Sequence, residues 1–163
     1  VKNKRKKIVI LFVVILYFAN VYYFLFQYFV NAKYSRPWYR NNGFSEMMKI
    51  INKESQNADV VIMTKRQGGI YPLVLFYLKY DPATYQKEGS PKTQDYKGFG
   101  KIIFVPQDCP FSQYSQEFPK VTRKIYVESG DCKDDKRLRA RRHEFINRED
   151  GTKAFRIVYD YFD

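Results

Sequence analysis

A seven-residue loop contains side chains of this chain that could bind a substrate. Thr64–Ile70, TKRQGGI, follows a short apolar run that predicts a strand, and a helix beginning near Pro72 is predicted after it. Open α/β sheets bind ligands at such strand-to-helix loops, where cationic and amide groups can meet phosphate or sugar hydroxyls. The candidate substrate-binding residues are Lys65, Arg66, Gln67 and Tyr71.

A plain turn is the second interpretation of the same loop. Gly68-Gly69 matches neither the dinucleotide-binding GxGxxG pattern nor a Walker phosphate loop. Two adjacent glycines commonly mark a turn without any ligand. The sequence leaves both interpretations open.

A basic segment near the C terminus is the other candidate binding site. Its sequence is KDDKRLRARR, over residues 133–142. It is interpreted either as a solvated face or as a contact with anionic lipid headgroups or a lipid-linked phosphate. Nucleic acid is the remote third option, because no recognised RNA or DNA module frames the segment. The candidate headgroup contacts are Lys136, Arg137, Arg139, Arg141 and Arg142.

No catalytic constellation is visible in the sequence, and no catalytic residue is predicted. Ser129 lacks the GxSxG frame of a nucleophile elbow, and the only histidine, His143, lies beside basic residues as an ordinary surface or strand residue. No spacing pairs any two of the candidate acids across a substrate. These acids are Asp59, Asp81, Asp108, Asp134 and Asp135.

Two cysteines, Cys109 and Cys132, each follow a predicted strand. If those strands are parallel neighbours, a disulfide can join the two cysteines outside the cytoplasm; two free thiols are the alternative. A metal site is not expected, because the chain has no CxxC motif and a single histidine.

The element around which the chain is organised is Ile8–Val30, twenty-three residues without a charge. About 20 apolar residues suffice to cross a bilayer core, so a transmembrane helix is predicted. A cleaved signal peptide is disfavoured because its apolar core would be shorter, and a buried helix of a soluble domain is disfavoured because so long a charge-free run is rare there. Because the sequence begins at Val1 and not at Met, we expect the last span of a longer protein.

Flanking charge predicts the orientation of this helix. Five basic residues lie in the flank 1–7, whereas the connector 31–43 carries only Lys33, Arg36 and Arg40. Basic residues are enriched on the cytoplasmic side, so a cytoplasmic N-terminal flank and an extracytoplasmic C-terminal domain in the cell membrane are predicted.

Composition bounds the remaining sequence. The chain of 163 residues has a formal net charge of +12, and residues 31–163 carry 24 basic against 17 acidic side chains. Outward placement makes membrane lipid a nearer partner for this excess than nucleic acid. Residues 44–163 are long enough for one small domain with its own core.

Hydrophobic periodicity predicts an α/β fold for that domain. Short apolar runs rich in β-branched residues predict strands, and Asp150-Gly151 between two such runs predicts a C-terminal β-hairpin. A buried or lipid-facing helix is predicted from Pro72, because PLVLFYLKY has almost no polar face. The predicted elements are a helix Phe44–Ser55, strands Asp59–Met63, Lys101–Val105 and Val121–Val127, and hairpin strands His143–Asn147 and Lys153–Tyr159.

Several of these segments together resemble a known family. DVVIMT, GGIYPLVLFYLKYDPATYQ, FGKIIFV and the terminal DGTKAFRIVYDY, after an apolar span and an aromatic connector, are similar to the C-terminal end of bacterial membrane glycosyltransferases related to glycosyltransferase family 39. That family includes enzymes that resemble protein O-mannosyltransferases and aminoarabinose transferases. The similarity covers most of the chain.

The resemblance implies a many-span enzyme that passes a sugar from a polyprenyl-phosphate donor to an acceptor on the outer face. In that family the catalytic carboxylate and any metal ligands lie in the first extracytoplasmic loop, which no residue of this sequence matches. The segment would therefore supply the last span and an extracytoplasmic domain that assists acceptor binding, without cofactor. A single-pass anchored binding or structural protein is the alternative.

Overall fold

An apolar helix forms the N-terminal part of the computed structural model, which describes residues 2–35, 41–65, 70–88, 97–114 and 122–161. α1 (Lys2–Phe26) continues through a π-helical turn (Gln27–Asn31) into α2 (Ala32–Ser35). Polar side chains within it bond locally: Asn20 Nδ2 donates to Leu16 O at 2.9 Å, and Asn31 Nδ2 to Gln27 Oε1 at 2.6 Å. The helix thus extends into the segment predicted as a connector.

Within the described residues, one helix is long and apolar enough to cross a membrane. It covers Asn3–Asn31, and its most apolar 18-residue window has a mean hydropathy of 2.5 and contains no buried residue. A signal sequence near an N terminus can also meet this criterion of length and composition. The chain divides into two compact units, Val1–Arg40 and Asn41–Asp163.

The second unit contains a six-stranded mixed sheet with the strand order β2-β3-β1-β4-β6-β5. β1 pairs in parallel with β3 and with β4, whereas β6 is antiparallel to β4 and β5 is antiparallel to β6. The strands are β1 (Val60–Thr64), β2 (Gly98–Phe99), β3 (Ile102–Val105), β4 (Lys124–Ser129), β5 (Arg142–Asn147) and β6 (Lys153–Asp160). The predicted mixed α/β content and the β5-β6 hairpin are present.

Helices cover both faces of this sheet. α3 (Phe44–Glu54) and α4 (Ile70–Leu78) pack on the first face, where they bury Phe44, Met47 and Val74 against alternate residues of the strands. α6 (Pro110–Tyr114) and a 3₁₀ turn (Leu138–Ala140) lie on the second face, where the cluster contains Phe111, Leu138 and Tyr126. Strand side chains alternate between the faces, so nearly every residue of β1 and β4 is buried.

Short elements account for most differences from the predicted elements. β2, α5 (Pro82–Lys87) and α6 are not among the predicted elements. The Asp81-Pro82 pair starts α5, because the Asp81 carboxylate accepts from Thr84 N at 2.8 Å and Pro82 takes the first helical position. A five-residue helix has too short an apolar period for sequence to reveal it.

The start of α3 depends on a glycine and not on a polar cap. Gly43 is its N-cap in the left-handed region, at φ +85°, without any side-chain hydrogen bond. A Cβ at this position would lie 2.9 Å from Ala154 Cβ and 3.1 Å from Ile146 Cγ2. Backbone conformation and close approach to the β5-β6 hairpin therefore both require glycine at the domain's first helix.

Candidate functional site

The C-terminal ends of the parallel strands contain the loop residues singled out from sequence. Lys65 follows β1, and its N–H donates to Val105 O at 2.7 Å, which extends the β1-β3 pairing by one residue. Tyr71, the second residue of α4, is half-buried and packs against the first-face core. Arg66 and Gln67 lie outside the described residues. Lys65 and Tyr71 thus have structural roles in the described part, and substrate contact at this loop stays a prediction.

A disulfide joins Cys109 and Cys132 at the same C-terminal ends of the parallel strands, with their Cα atoms 5.7 Å apart. The expectation that they follow neighbouring strands is wrong, because β1 lies between β3 and β4. The loops after β3 and β4 meet instead, and Ser129 N donates to Asp108 O at 3.0 Å beside the disulfide.

A buried ion pair contacts the backbone of this disulfide at Cys132. Arg156 on β6 stands opposite Glu128 on β4 in the strand register, and Arg156 Nη2 lies 2.6 Å from Glu128 Oε2. The other carboxylate oxygen of Glu128 accepts from Phe111 N at 2.7 Å, and Arg156 Nη1 donates to Cys132 O at 3.1 Å. No sequence pattern predicted this pair. Its signal was a single charge inside each of two apolar strand patterns, since buried charges require partners.

A cavity of about 290 Å³ opens on the second face of the sheet. We name it the arginine cavity; its lining residues are Phe111, Arg137, Ala140, Arg141 and Asp160. Arg137 Nε and Nη2 both donate to Asp135 Oδ2, at 3.1 and 3.0 Å, and Arg141 Nε donates to Asp160 Oδ1 at 2.6 Å. Each cavity arginine already has a carboxylate partner, so an anion entering the cavity would compete with Asp135 or Asp160.

A buried tyrosine lies next to the arginine cavity. The Tyr126 ring packs edge-on against Phe111 with centroids 5.5 Å apart, and no hydrogen-bond partner reaches its fully buried hydroxyl within the described part of the chain. Burial raises the pKa of Tyr126 well above its usual range; Asp160 raises it further and Arg137 opposes. The hydroxyl is therefore a neutral, unused donor.

The basic segment divides into paired and unpaired members. Besides the two cavity arginines, Arg142 is engaged, with its guanidinium 4.4 Å from the Tyr159 ring centroid and 3.9 Å from Glu54. Lys136 and Arg139 are exposed. Among residues that the structure describes, neither has an ion-pair partner. If this segment meets anionic headgroups, these two side chains are the ones available to do so.

Four of the candidate acids have structural partners, Asp135 among them through its bonds to Arg137. Asp59 Oδ2 accepts from Arg123 N at 3.0 Å, Asp81 caps α5, and Asp134 pairs with Arg156 at 2.8 Å. His143 is exposed, with Nδ1 3.1 Å from Arg141 O. Within the described ranges, no group of three His, Cys, Asp or Glu side chains could hold a metal ion.

A second cavity, of about 430 Å³, is an aromatic groove. It lies at the end of α4 and the start of α5, and its lining residues are Leu75, Phe76, Lys79, Tyr80, Pro82 and Tyr85. Only Ile70 and Val74 of α4 are fully buried, while Phe76 is 75% exposed. The apolar composition of α4 predicted a buried or lipid-facing helix, and the structure leaves one side of it uncovered.

Comparison with known protein families, with curated proteins and with solved structures finds no match to this chain. Function must therefore be argued from the chain itself. Its described features are an exposed apolar helix, a disulfide-bonded α/β unit, an arginine cavity neutralised by carboxylates and an aromatic groove.

Proposed function

We propose that this chain is the membrane-anchored C-terminal part of a glycosyltransferase that transfers a sugar from a polyprenyl-phosphate donor to an acceptor on the outer face of the membrane. In this proposal α1 is the last span, and residues 41–163 form an extracytoplasmic domain that assists acceptor binding. The catalytic carboxylate belongs to another part of the enzyme.

One observation carries the membrane anchor: the most apolar 18-residue window of the helix Asn3–Asn31 contains no buried residue. A soluble helix of this composition would need partners on all sides, whereas a bilayer core covers it without them. Its polar side chains bond within the helix, as a hydrocarbon environment requires.

The disulfide supports an extracytoplasmic domain. Bonds such as Cys109–Cys132 persist in oxidising compartments and are rare in the cytoplasm. The excess of basic residues in the flank 1–7 favours the same orientation, with the N terminus inside.

The transferase class rests on the resemblance of the sequence, and the domain's chemistry is compatible with an accessory role. Asp59, Asp81 and Asp134 each have a structural partner, which is compatible with a catalytic carboxylate elsewhere in the enzyme. The loop of Lys65 and Tyr71 at the strand ends is the proposed place of acceptor contact.

A turnover assay of the full-length enzyme tests the accessory role. Alanine at Lys65, Arg66, Gln67 or Tyr71 is expected to raise the acceptor KM more than it lowers kcat, because these residues would bind the acceptor without taking part in the reaction. Unchanged KM and kcat would mean that the loop is only a turn.

A single-pass anchored binding protein is the alternative, favoured by the exposed aromatic groove. The coding sequence upstream of residue 1 separates the two functions. Several further apolar segments of about 20 residues, with an acidic residue in the first outward loop, are expected for the transferase. Their absence would overturn it.

A further inference from the structure

The uncovered side of α4 has the composition of a membrane interface. α4 contains no charged residue, and two of its aromatic side chains are exposed: Phe76 is 75% exposed and Tyr77 37% exposed. The outer face of a helix on a soluble domain is ordinarily polar, so this helix is apolar on the side that faces away from the core.

We propose that the aromatic groove and the exposed side of α4 insert into the interface of the bilayer that holds α1. The ligand is a lipid surface, with the Phe76 ring below the headgroups and Lys79 at their level. The inference rests on the membrane anchor of the proposed function and adds a second, peripheral contact made by the domain.

The groove is rigid enough to act as an insertion surface. The Tyr80 ring packs on Phe99 with centroids 4.8 Å apart, and its hydroxyl donates to Glu88 Oε1 at 2.8 Å. Tyr77 is similarly held by Phe44, at 5.6 Å. The only described ring contact of Phe76 is with Tyr77, at 5.5 Å. The groove's outermost ring thus projects from a fixed aromatic base, and inserting it costs little side-chain ordering.

The chemistry of the rim favours lipid over a protein partner. Tyrosine rings with polar ends and a lysine beside an apolar ring are the side chains that concentrate at membrane interfaces, where one end is apolar and the other wet. Residues 41–163 also carry 21 basic against 17 acidic side chains, a net charge that favours anionic headgroups.

The chain itself keeps this surface within reach of a bilayer. α2 ends at Ser35, and the second unit begins at Asn41 of the same chain. A domain tethered this closely to a membrane helix has a high effective concentration at the lipid surface, so even a small insertion surface stays occupied.

Tryptophan fluorescence in vesicles with brominated acyl chains tests the proposal on the full chain. The chain's one tryptophan, Trp38, is first replaced by Phe, and single tryptophans are then introduced as Phe76→Trp or Pro72→Trp on the exposed side of α4. His143→Trp on exposed β5 is the negative control, and Phe18→Trp within α1 is the positive control. Intact disulfide in every variant verifies folding.

Phe76→Trp is expected to lose more than about half of its emission in brominated vesicles, because an interfacial side chain lies 5–10 Å deep, close to the bromines. His143→Trp should be unchanged. If Phe76→Trp and Pro72→Trp lose no more emission on bromination than His143→Trp does, while Phe18→Trp is quenched, the interfacial contact is overturned and the anchor stays intact. Unquenched Phe18→Trp would overturn both. Emission of Phe76→Trp that changes with protein concentration but not with bromination would instead identify a second copy of the chain as the occupant and overturn the proposal.

Discussion

Arg156 and Glu128 face one another across β6 and β4, with Arg156 Nε donating to Glu128 Oε2 at 2.8 Å and side chains 1% and 0% exposed. Burial raises the pKa of Glu128, and the Arg156 guanidinium and Phe111 N–H oppose that rise by stabilising the carboxylate. Through these bonds the pair connects α6, two strands and the Cys132 loop. It is a structural centre of the domain.

Replacing only one member of this pair should destabilise the domain strongly. Arg156→Met leaves a buried carboxylate without its cation, and a loss of about 3–5 kcal/mol in the free energy of unfolding is expected. The double variant Glu128→Gln with Arg156→Met should lose less than the sum of the single variants. Denaturant unfolding of the full chain in detergent measures both. A loss below about 1 kcal/mol for Arg156→Met would contradict the structural role.

Removal of the hydroxyl should affect the stability of the protein differently at two buried tyrosines. Tyr126→Phe removes an unused donor and should be neutral or stabilising by up to about 1 kcal/mol, since the buried group is not bonded. Tyr159→Phe removes a hydrogen bond to the Glu144 carboxylate and should cost about 1.5–3 kcal/mol. Thermal unfolding compares them. Comparable losses in the two variants would show that the Tyr126 hydroxyl has a partner in the folded protein.

Asp59 should contribute stability that depends on pH. The Arg123 N–H and then the Thr122 hydroxyl hold the pKa of Asp59 below its ordinary value of 3.8. A carboxylate whose pKa is lowered on folding stabilises the folded state fully above pH 3.8 and loses that contribution as pH falls through the lowered pKa. The stability difference between the parent and Asp59→Asn should therefore shrink from pH 7 to pH 3. A difference that is constant over this range in thermal melts would refute the assignment.

Removal of the disulfide should lower the free energy of unfolding without abolishing the fold. Cys109 and Cys132 are 23 residues apart, and a loop of that size corresponds to about 3 kcal/mol. The double Cys→Ser variant is expected to lose that amount, and reductant should destabilise only the parent. If reductant leaves the parent's unfolding midpoint unchanged, the two cysteines are not bonded in the native protein.

The exposed members of the basic segment should affect vesicle binding more than the paired ones do. Each basic group near an anionic surface adds about 1 kcal/mol, so Lys136→Gln with Arg139→Gln should weaken binding of residues 41–163 to anionic vesicles roughly thirtyfold. Lys49→Gln with Lys53→Gln on α3 is the charge-matched control. Arg137→Gln with Arg141→Gln should instead lower stability. Equal binding by the first two double variants would exclude a headgroup site at this segment.

The main secondary structure of the domain was predictable, because long periodic segments report local preference. The apolar runs around Val60–Thr64 and Ile102–Val105 are strands within one residue of the predicted bounds, and the Asp150-Gly151 turn joins β5 and β6. β4 was predicted to end earlier than Ser129, because Glu128 interrupts the apolar pattern there. A charge inside a strand is compatible with burial only when the opposite strand supplies its partner, and strand neighbours are not encoded locally.

Sequence by itself determined the apolar helix, the mixed α/β composition and the hairpin, since each follows from side-chain period, length or turn chemistry within a short stretch. Only the tertiary structure decided that β1 separates the two strands preceding the disulfide, and that Arg137, Arg141 and Arg142 have intramolecular partners while Lys136 and Arg139 remain exposed. Tertiary packing also decided which side of α4 stays uncovered. These outcomes depend on strand order and on contacts between residues distant in sequence, and no local pattern specifies either.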